Sequence, residues 1–391
     1  MKKKILFGAI SAIVAAGSTS AFAMPSGEQM WETIQKQQAE IEQLKKQAAN
    51  ADRKISATAD AVEQTTMGSV ASKTKIGGYG EHHFNHFSHK DDQIDAHRFV
   101  VYISHDYSDK IKFFSEVELE HSLSGEGKPG EVELEQAYIQ YDYTANHSII
   151  AGQFLIPVGF LNESHEPETF YGTERNPVEK NIIPTTWWET GAMFSGIMAP
   201  GLSYDVALHS GLEVEDGGKV RGGRQKSAKA VAEDLAFTTR IKYTGVKGLT
   251  VAASLQYQQD ITQGNGTDDN GEATLLVLNA AYQVDNYSLR ALWSTWDIDG
   301  STFKANGRDE QTGWMIEAGY KFNERVGVFA RHNTWDNNAG SSTDTEYTQA
   351  DIGVNYWLHE NVAVKVDYSD VDAPTGSEDY DIINLGLGWS F

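Results

Sequence analysis

The segment Arg98–Glu120, RFVVYISHDYSDKIKFFSEVELE, alternates with period two on both sides of a short polar turn. Phe99, Val101 and Ile103 share one parity, and Arg98, Tyr102, Ser104 and Asp106 share the other. After Ser108-Asp109-Lys110, Ile111, Phe113, Val117 and Leu119 oppose Lys112, Glu116, Glu118 and Glu120. Successive side chains of an extended strand point to opposite faces, so each strand here offers one face to an apolar medium and the other to water. The rule returns at Leu235–Tyr243 and at Val362–Ser369. In the last strand Ile383, Leu385, Leu387, Trp389 and Phe391 share a parity, with Asn384 and Ser390 opposite.

The connections discriminate further. Tight turns near Ser108, Ala145, Pro200, Gly245–Gly248, Asn286, Asn323 and His359 alternate with longer polar loops along the whole chain after Lys75. That rhythm predicts an all-β fold, a transmembrane antiparallel β-barrel of about 16 strands, with short turns on one side of a membrane and long loops on the other. Tyr and Trp recur at strand ends, among them Tyr107, Tyr143, Tyr243, Tyr282, Tyr320, Tyr356 and Trp357, where amphipathic rings sit at headgroup level. Hydrocarbon offers no partner to an open sheet edge, so such a sheet must close.

The N-terminus reads differently. Lys2, Lys3 and Lys4, the apolar run Ile5–Ala16 and the small-residue site Ala21-Phe22-Ala23 are expected to form a cleaved signal peptide, residues 1–23. Loss of its three lysines takes the formal charge from −23 to −26. Residues 24–72 then predict a periplasmic coiled-coil helix and linker. Ile34, Ile41, Ala48, Ile55 and Val62 fall seven apart, Met30, Leu44 and Ala51 take companion positions, and Gln37 and Thr58 are polar lapses. The chain has no cysteine, so no disulfide holds it. Its acidity argues against nucleic acid as a partner, because phosphate backbones require clustered Lys and Arg. No phosphate-cradling loop, nucleophile elbow or zinc helix is present, and neither enzymatic activity nor a cofactor is expected.

Within the barrel, residues 73–391, the longest interruption runs from 157 to 186. It mixes Phe160, Phe170 and Tyr171 with Glu163, Glu166, Glu168, Arg175 and Lys180, and leads into Trp187 and Trp188. Loops of this length are functional or disordered, and aromatic anchors among charges argue for a loop folded into the lumen as a constriction. Arg175 or Lys180 facing Glu163, Glu166 or Glu168 would set a transverse field there. By strand parity the lumen also receives Arg98, Lys112, Arg240, Lys242, Arg290, Lys321, Arg331 and Lys365 beside Glu116, Glu118, Glu120, Glu317, Asp351 and Asp367. The acid-free run Lys219, Arg221, Arg224, Lys226, Lys229 reads as a solvated surface loop. His82, His83, His86, His89 and His97 cluster near the first hairpin, but parity puts His82 and His86 opposite His83, and no metal site is expected.

Gly152-Gln153-Phe154, Pro157-Val158-Gly159-Phe160 and Pro184-Thr185-Thr186-Trp187-Trp188-Glu189-Thr190-Gly191 resemble the phosphate-selective porin O and P family of outer-membrane porins. Arg98-Phe99, Glu116–Leu119 and Glu135-Gln136-Ala137-Tyr138 fit the same resemblance, which is strongest up to about Gly211. It implies a homotrimeric channel of 16 strands with inward loops and a cationic path for phosphate or related anions. Because the inward face is of mixed sign, the expected function is a porin for passive diffusion of small hydrophilic solutes and ions. Anion or phosphate preference is then an added refinement. Its surroundings would be outer-membrane lipid and lipopolysaccharide in a bacterial outer membrane. The alternatives are a barrel with an enzymatic or adhesive role, and a soluble secreted β-protein.

Overall fold

The computed structural model describes residues 73–123, 125, 127, 129–266 and 271–391. The expected signal peptide and coiled-coil helix lie outside the described residues.

Sixteen antiparallel strands close into a barrel: β1 Thr74–Phe87, β2 Gln93–Asp106, β3 Ile111–Glu120, β4 Val132–Asp142, β5 His147–Leu155, β6 Trp188–Ala199, β7 Leu202–His209, β8 Ala236–Tyr243, β9 Leu249–Gln258, β10 Ala273–Val284, β11 Tyr287–Ile298, β12 Glu310–Lys321, β13 Val326–Asp336, β14 Tyr347–His359, β15 Val362–Asp372 and β16 Tyr380–Ser390. Each strand pairs with its sequence neighbours, and β1 pairs with β16 in the register Tyr79↔Ser390 to Phe87↔Ile382, which leaves no edge. The seven connections on one rim span five residues or fewer, and β1 starts and β16 ends on that rim.

The faces are inverted relative to a water-soluble protein. On β9, Leu255 is 39% exposed while its neighbours Ser254 and Gln256 are 1% and 0% exposed. On β12 to β14, Ile316 and Ile352 face out, and Glu317, Arg331 and Asp351 are buried inside. A barrel with apolar residues outside and ionised ones within is stable only where its exterior meets hydrocarbon.

The interior is divided. The strands β5 and β10 to β13 send inward Ile150, Phe154, Leu275, Val277, Leu292, Trp296, Met315 and Trp335, which pack with Ile156, Val158, Val178, Ile182, Ile183 and Trp187 from the β5–β6 loop. Leu212, Val214 and Val220 of the β7–β8 loop join the same core. One side of the barrel is thus filled by apolar loop packing, and a cavity lined by charged side chains remains against β1 to β4.

Candidate constriction site

The β5–β6 loop, residues 156–187, is stapled shut at its base. Asn162 Nδ2 donates to the Ile156 and Trp187 carbonyls at 2.7 and 2.8 Å, and its Oδ1 accepts from Trp187 N at 2.7 Å. A short helix, α1 Pro177–Asn181, follows the pattern of proline in its first turn and an Asn cap, with Asn176 Oδ1 accepting from Glu179 N at 2.9 Å. The buried Glu179 carboxylate turns back to accept from Phe160 N, Leu161 N and Asn176 Nδ2 at 2.5 to 2.7 Å. Gly159, at φ +66°, makes this approach, and a Cβ there would meet Glu179 Oε1 at 2.4 Å.

The loop's outer arc is tied to the wall by inward side chains. Arg98 donates to the His165 carbonyl at 2.8 Å and to Glu81 at 2.5 Å. Arg240 pairs with Glu163 and with Asp205, and Arg290 reaches the Thr169 carbonyl at 3.2 Å. Arg331 holds the Tyr171 carbonyl while paired with Asp351 at 2.8 Å, and Lys365 donates to the Gly172 carbonyl at 2.7 Å. Asp367 accepts from Thr173 N, and Glu174 contacts His83 and Asn85 at 3.1 Å. The inward cations that parity placed along the lumen therefore divide. Arg98, Arg240, Arg331 and Lys365 are 2–6% exposed and anchor the loop, Arg240 through the Glu163 carboxylate and the other three through loop carbonyls. Lys112 pairs with Asp142 near the short-turn rim, and Lys242 lines a cavity of about 650 Å³ there.

The expected pairing of Arg175 or Lys180 with acids of the same loop does not occur. Glu163 is taken by Arg240, Glu166 accepts from the Tyr102 hydroxyl at 3.3 Å, and Glu168 lies in the electrostatic reach of Lys365. The loop is drawn tight against the wall, which separates its acids from its two cations. Arg175 and Lys180 look instead across a cavity of about 320 Å³ towards Glu120, Glu131, Glu133 and Glu135 of the β3–β4 wall. Glu116 and Glu118 continue that wall inward.

Three more cations join the far side. The Lys219–Lys229 run, read from sequence as solvated, folds inward around the buried Val220 and a 3₁₀ turn at Val220–Gly223. Arg221 Nη1 donates to the carbonyls of Lys180 and Thr185 at 2.6 and 2.8 Å, and Arg224 Nη1 to Thr186 at 2.7 Å. Lys226 crosses to the acidic wall and pairs with Glu131 at 3.0 Å and with Glu133. Burial, then the neighbouring Arg224 and Arg175, bring Arg221 down to about 9, still charged at neutral pH. One wall is acidic and the facing loops are basic. The acidic ladder Glu131, Glu133, Glu135 was absent from the sequence-derived site, although its period-two spacing was readable in EVELEQ.

Next to this vestibule lies the buried His165, whose Nε2 is 3.4 Å from Glu135 and 3.6 Å from Glu116. Burial disfavours its charge, but the two carboxylates prevail and raise it to about 9. Below it a cavity of about 400 Å³ is lined by Tyr102, Phe114, Tyr138, Phe154, Glu163 and Glu166, among others. Away from these groups, Ser210 Oγ donates to Glu189, and the adjacent His209 ring contacts Thr238 Oγ1 at 2.8 Å.

No family model matches the chain. An uncharacterized protein of Aquifex aeolicus (strain VF5) is 29% identical over 366 residues, covering 83% of each chain. Among solved structures, the anion-selective porin from Comamonas acidovorans superposes with a TM-score of 0.60 at 11% identity, over 82% of this chain and 100% of that one. The outer membrane channel DcaP of Acinetobacter baumannii gives 0.58 at 14% identity, over 81% and 97%. A trimer form of OmpT, an outer membrane protein of Vibrio cholerae, gives 0.55 at 13% identity, over 81% and 99%. The fold is that of the outer-membrane porin barrels.

Proposed function

We propose that the protein is an outer-membrane porin, a water-filled channel through which small hydrophilic solutes and ions diffuse passively, without chemistry and without a cofactor. One observation carries this reading: inside a closed barrel with an apolar exterior, the β5–β6 loop folds inward, tied to strands around the wall, and leaves polar space for a passage between oppositely charged walls. Such a passage orients dipolar solutes and gives ions of each sign a lane of their own. The Arg175, Lys180, Arg221 and Arg224 side supplies an anion lane. The six wall carboxylates opposite weigh against a strict phosphate filter, so anion preference is weak and phosphate competes poorly with chloride. The likeness to a trimer form of OmpT supports a homotrimer embedded among lipid and lipopolysaccharide.

Stepwise conductance increments from the purified protein in planar bilayers, with both ions contributing to the reversal potential in a salt gradient, are the expected result. Folded protein that inserts and carries no current would overturn the channel. In that event a barrel with an enzymatic or adhesive role takes its place.

A further inference from the structure

Asp95 and His97 on β2 and His121, one residue beyond the end of β3, bring three donor atoms together at the vestibule wall. His97 Nδ1 lies 3.0 Å from Asp95 Oδ2, and His121 Nδ1 lies 2.9 Å from the same oxygen and 3.0 Å from Oδ1. All three donors lie within 4.8 Å of one another. Zinc–ligand bonds of about 2.0–2.1 Å in a tetrahedron place neighbouring donors about 3.3 Å apart, so two of the three separations need to open by only a few tenths of an ångström.

The surroundings set this group apart from a casual hydrogen-bonded cluster. His121 adopts φ +48°, a left-handed conformation uncommon for a residue with a Cβ, and its N–H donates to the His97 carbonyl at 3.1 Å, fixing the two imidazoles relative to each other. His83 stacks on His97 at 4.5 Å between ring centres, and its own nitrogens are occupied by Glu81 and Glu174. It therefore buttresses the His97 ring without competing for its role. The side chains of Asp95, His97 and His121 remain 27–32% exposed, and both histidines border the vestibule, so positions are open to water or a passing ligand. Two imidazoles and one carboxylate with open positions form a donor set for borderline divalent metals such as Zn²⁺, and not for Ca²⁺ or Mg²⁺, which take oxygen ligands.

We propose that Asp95, His97 and His121 bind one divalent transition-metal ion at the extracellular vestibule, with zinc as its natural class. Binding does not depend on solute passage, so it is tested separately from the channel. Full-length protein folded in detergent is titrated with Zn²⁺ by calorimetry and with Co²⁺ by visible absorption, alongside Asp95→Asn, His121→Ala and Glu131→Gln/Glu133→Gln. Retained β circular dichroism and unaltered mobility of unheated protein on gels verify folding of each variant. The expected result is one metal per chain, Co²⁺ bands of a four- or five-coordinate ion, and binding weakened about tenfold or more by Asp95→Asn and by His121→Ala while the Glu131/Glu133 variant binds as the parent does. Absence of binding to the folded parent overturns the site. So does affinity unchanged in both Asp95→Asn and His121→Ala, or affinity lost only with Glu131 and Glu133, which is adsorption to the acidic wall.

Discussion

Glu179 sits in a helix of five residues, yet its carboxylate gathers two backbone N–H groups from the opposite limb of the loop and the amide of its own helix cap, Asn176. Removing it strands buried donors at a cost of about 1–3 kcal/mol each. Glu179→Ala is therefore expected to lower loop stability by roughly 3 kcal/mol or more, seen as new proteolytic cleavage between 156 and 187 and a noisier open channel. Glu179→Gln keeps an acceptor and should be milder. His165 makes a pH prediction. Its folded pKa of about 9 exceeds the ordinary histidine value of 6.5, so its stabilising contribution is full below 6.5 and is lost as pH rises through about 9. The difference corresponds to something on the order of 3 kcal/mol at most. Unfolding in denaturant from pH 6.5 to 10 should show this decline in the parent and not in His165→Gln. Neither role was legible in sequence, because no periodicity in a loop reveals which carboxylate or imidazole turns inward.

At the scale of elements, the strands were readable because hydrocarbon imposes one rule on every outward position. The inner faces obey no such rule. Leu275, Leu276, Val277 and Leu278 are apolar on both faces of β10 because the inner face meets Val178, Ile182 and Trp187 and not water. Parity correctly placed Arg98, Arg240 and Arg331 inside, but it does not say that they are consumed in holding the loop, Arg98 and Arg331 by its carbonyls and Arg240 by Glu163. A cation within reach of a backbone oxygen and a carboxylate is more stable buried there than left in the passage. The basic run at Lys219–Lys229 misled for the opposite reason: the interleaved Val220, with Leu212 and Val214 before it, buries that loop. The cations left facing the passage make the selectivity prediction. Arg175→Glu and Lys180→Glu should each shift the reversal potential in a salt gradient towards the cation limit, and the double variant further. Unchanged potentials in both would remove these side chains from the ion path.

For the whole molecule, the alternation of short and long connections and the expected export signal point alike to an outer-membrane barrel, and the closed sheet realises the strand number those connections imply. The heptad segment lies outside the described residues, and its expected role is assembly: deletion of residues 28–64 should reduce the mass of the detergent-solubilised oligomer while the barrel still folds. What the sequence left open at this scale was the asymmetry of the lumen, which arises from long-range packing of two loops on one side. That asymmetry makes the channel itself measurable. In planar bilayers with a potassium chloride gradient, the parent protein should insert in discrete conducting steps with weak ion selectivity, and Arg175→Glu/Lys180→Glu should keep the steps while moving the reversal potential towards potassium. Membranes that take up the folded barrel and stay silent would contradict the account.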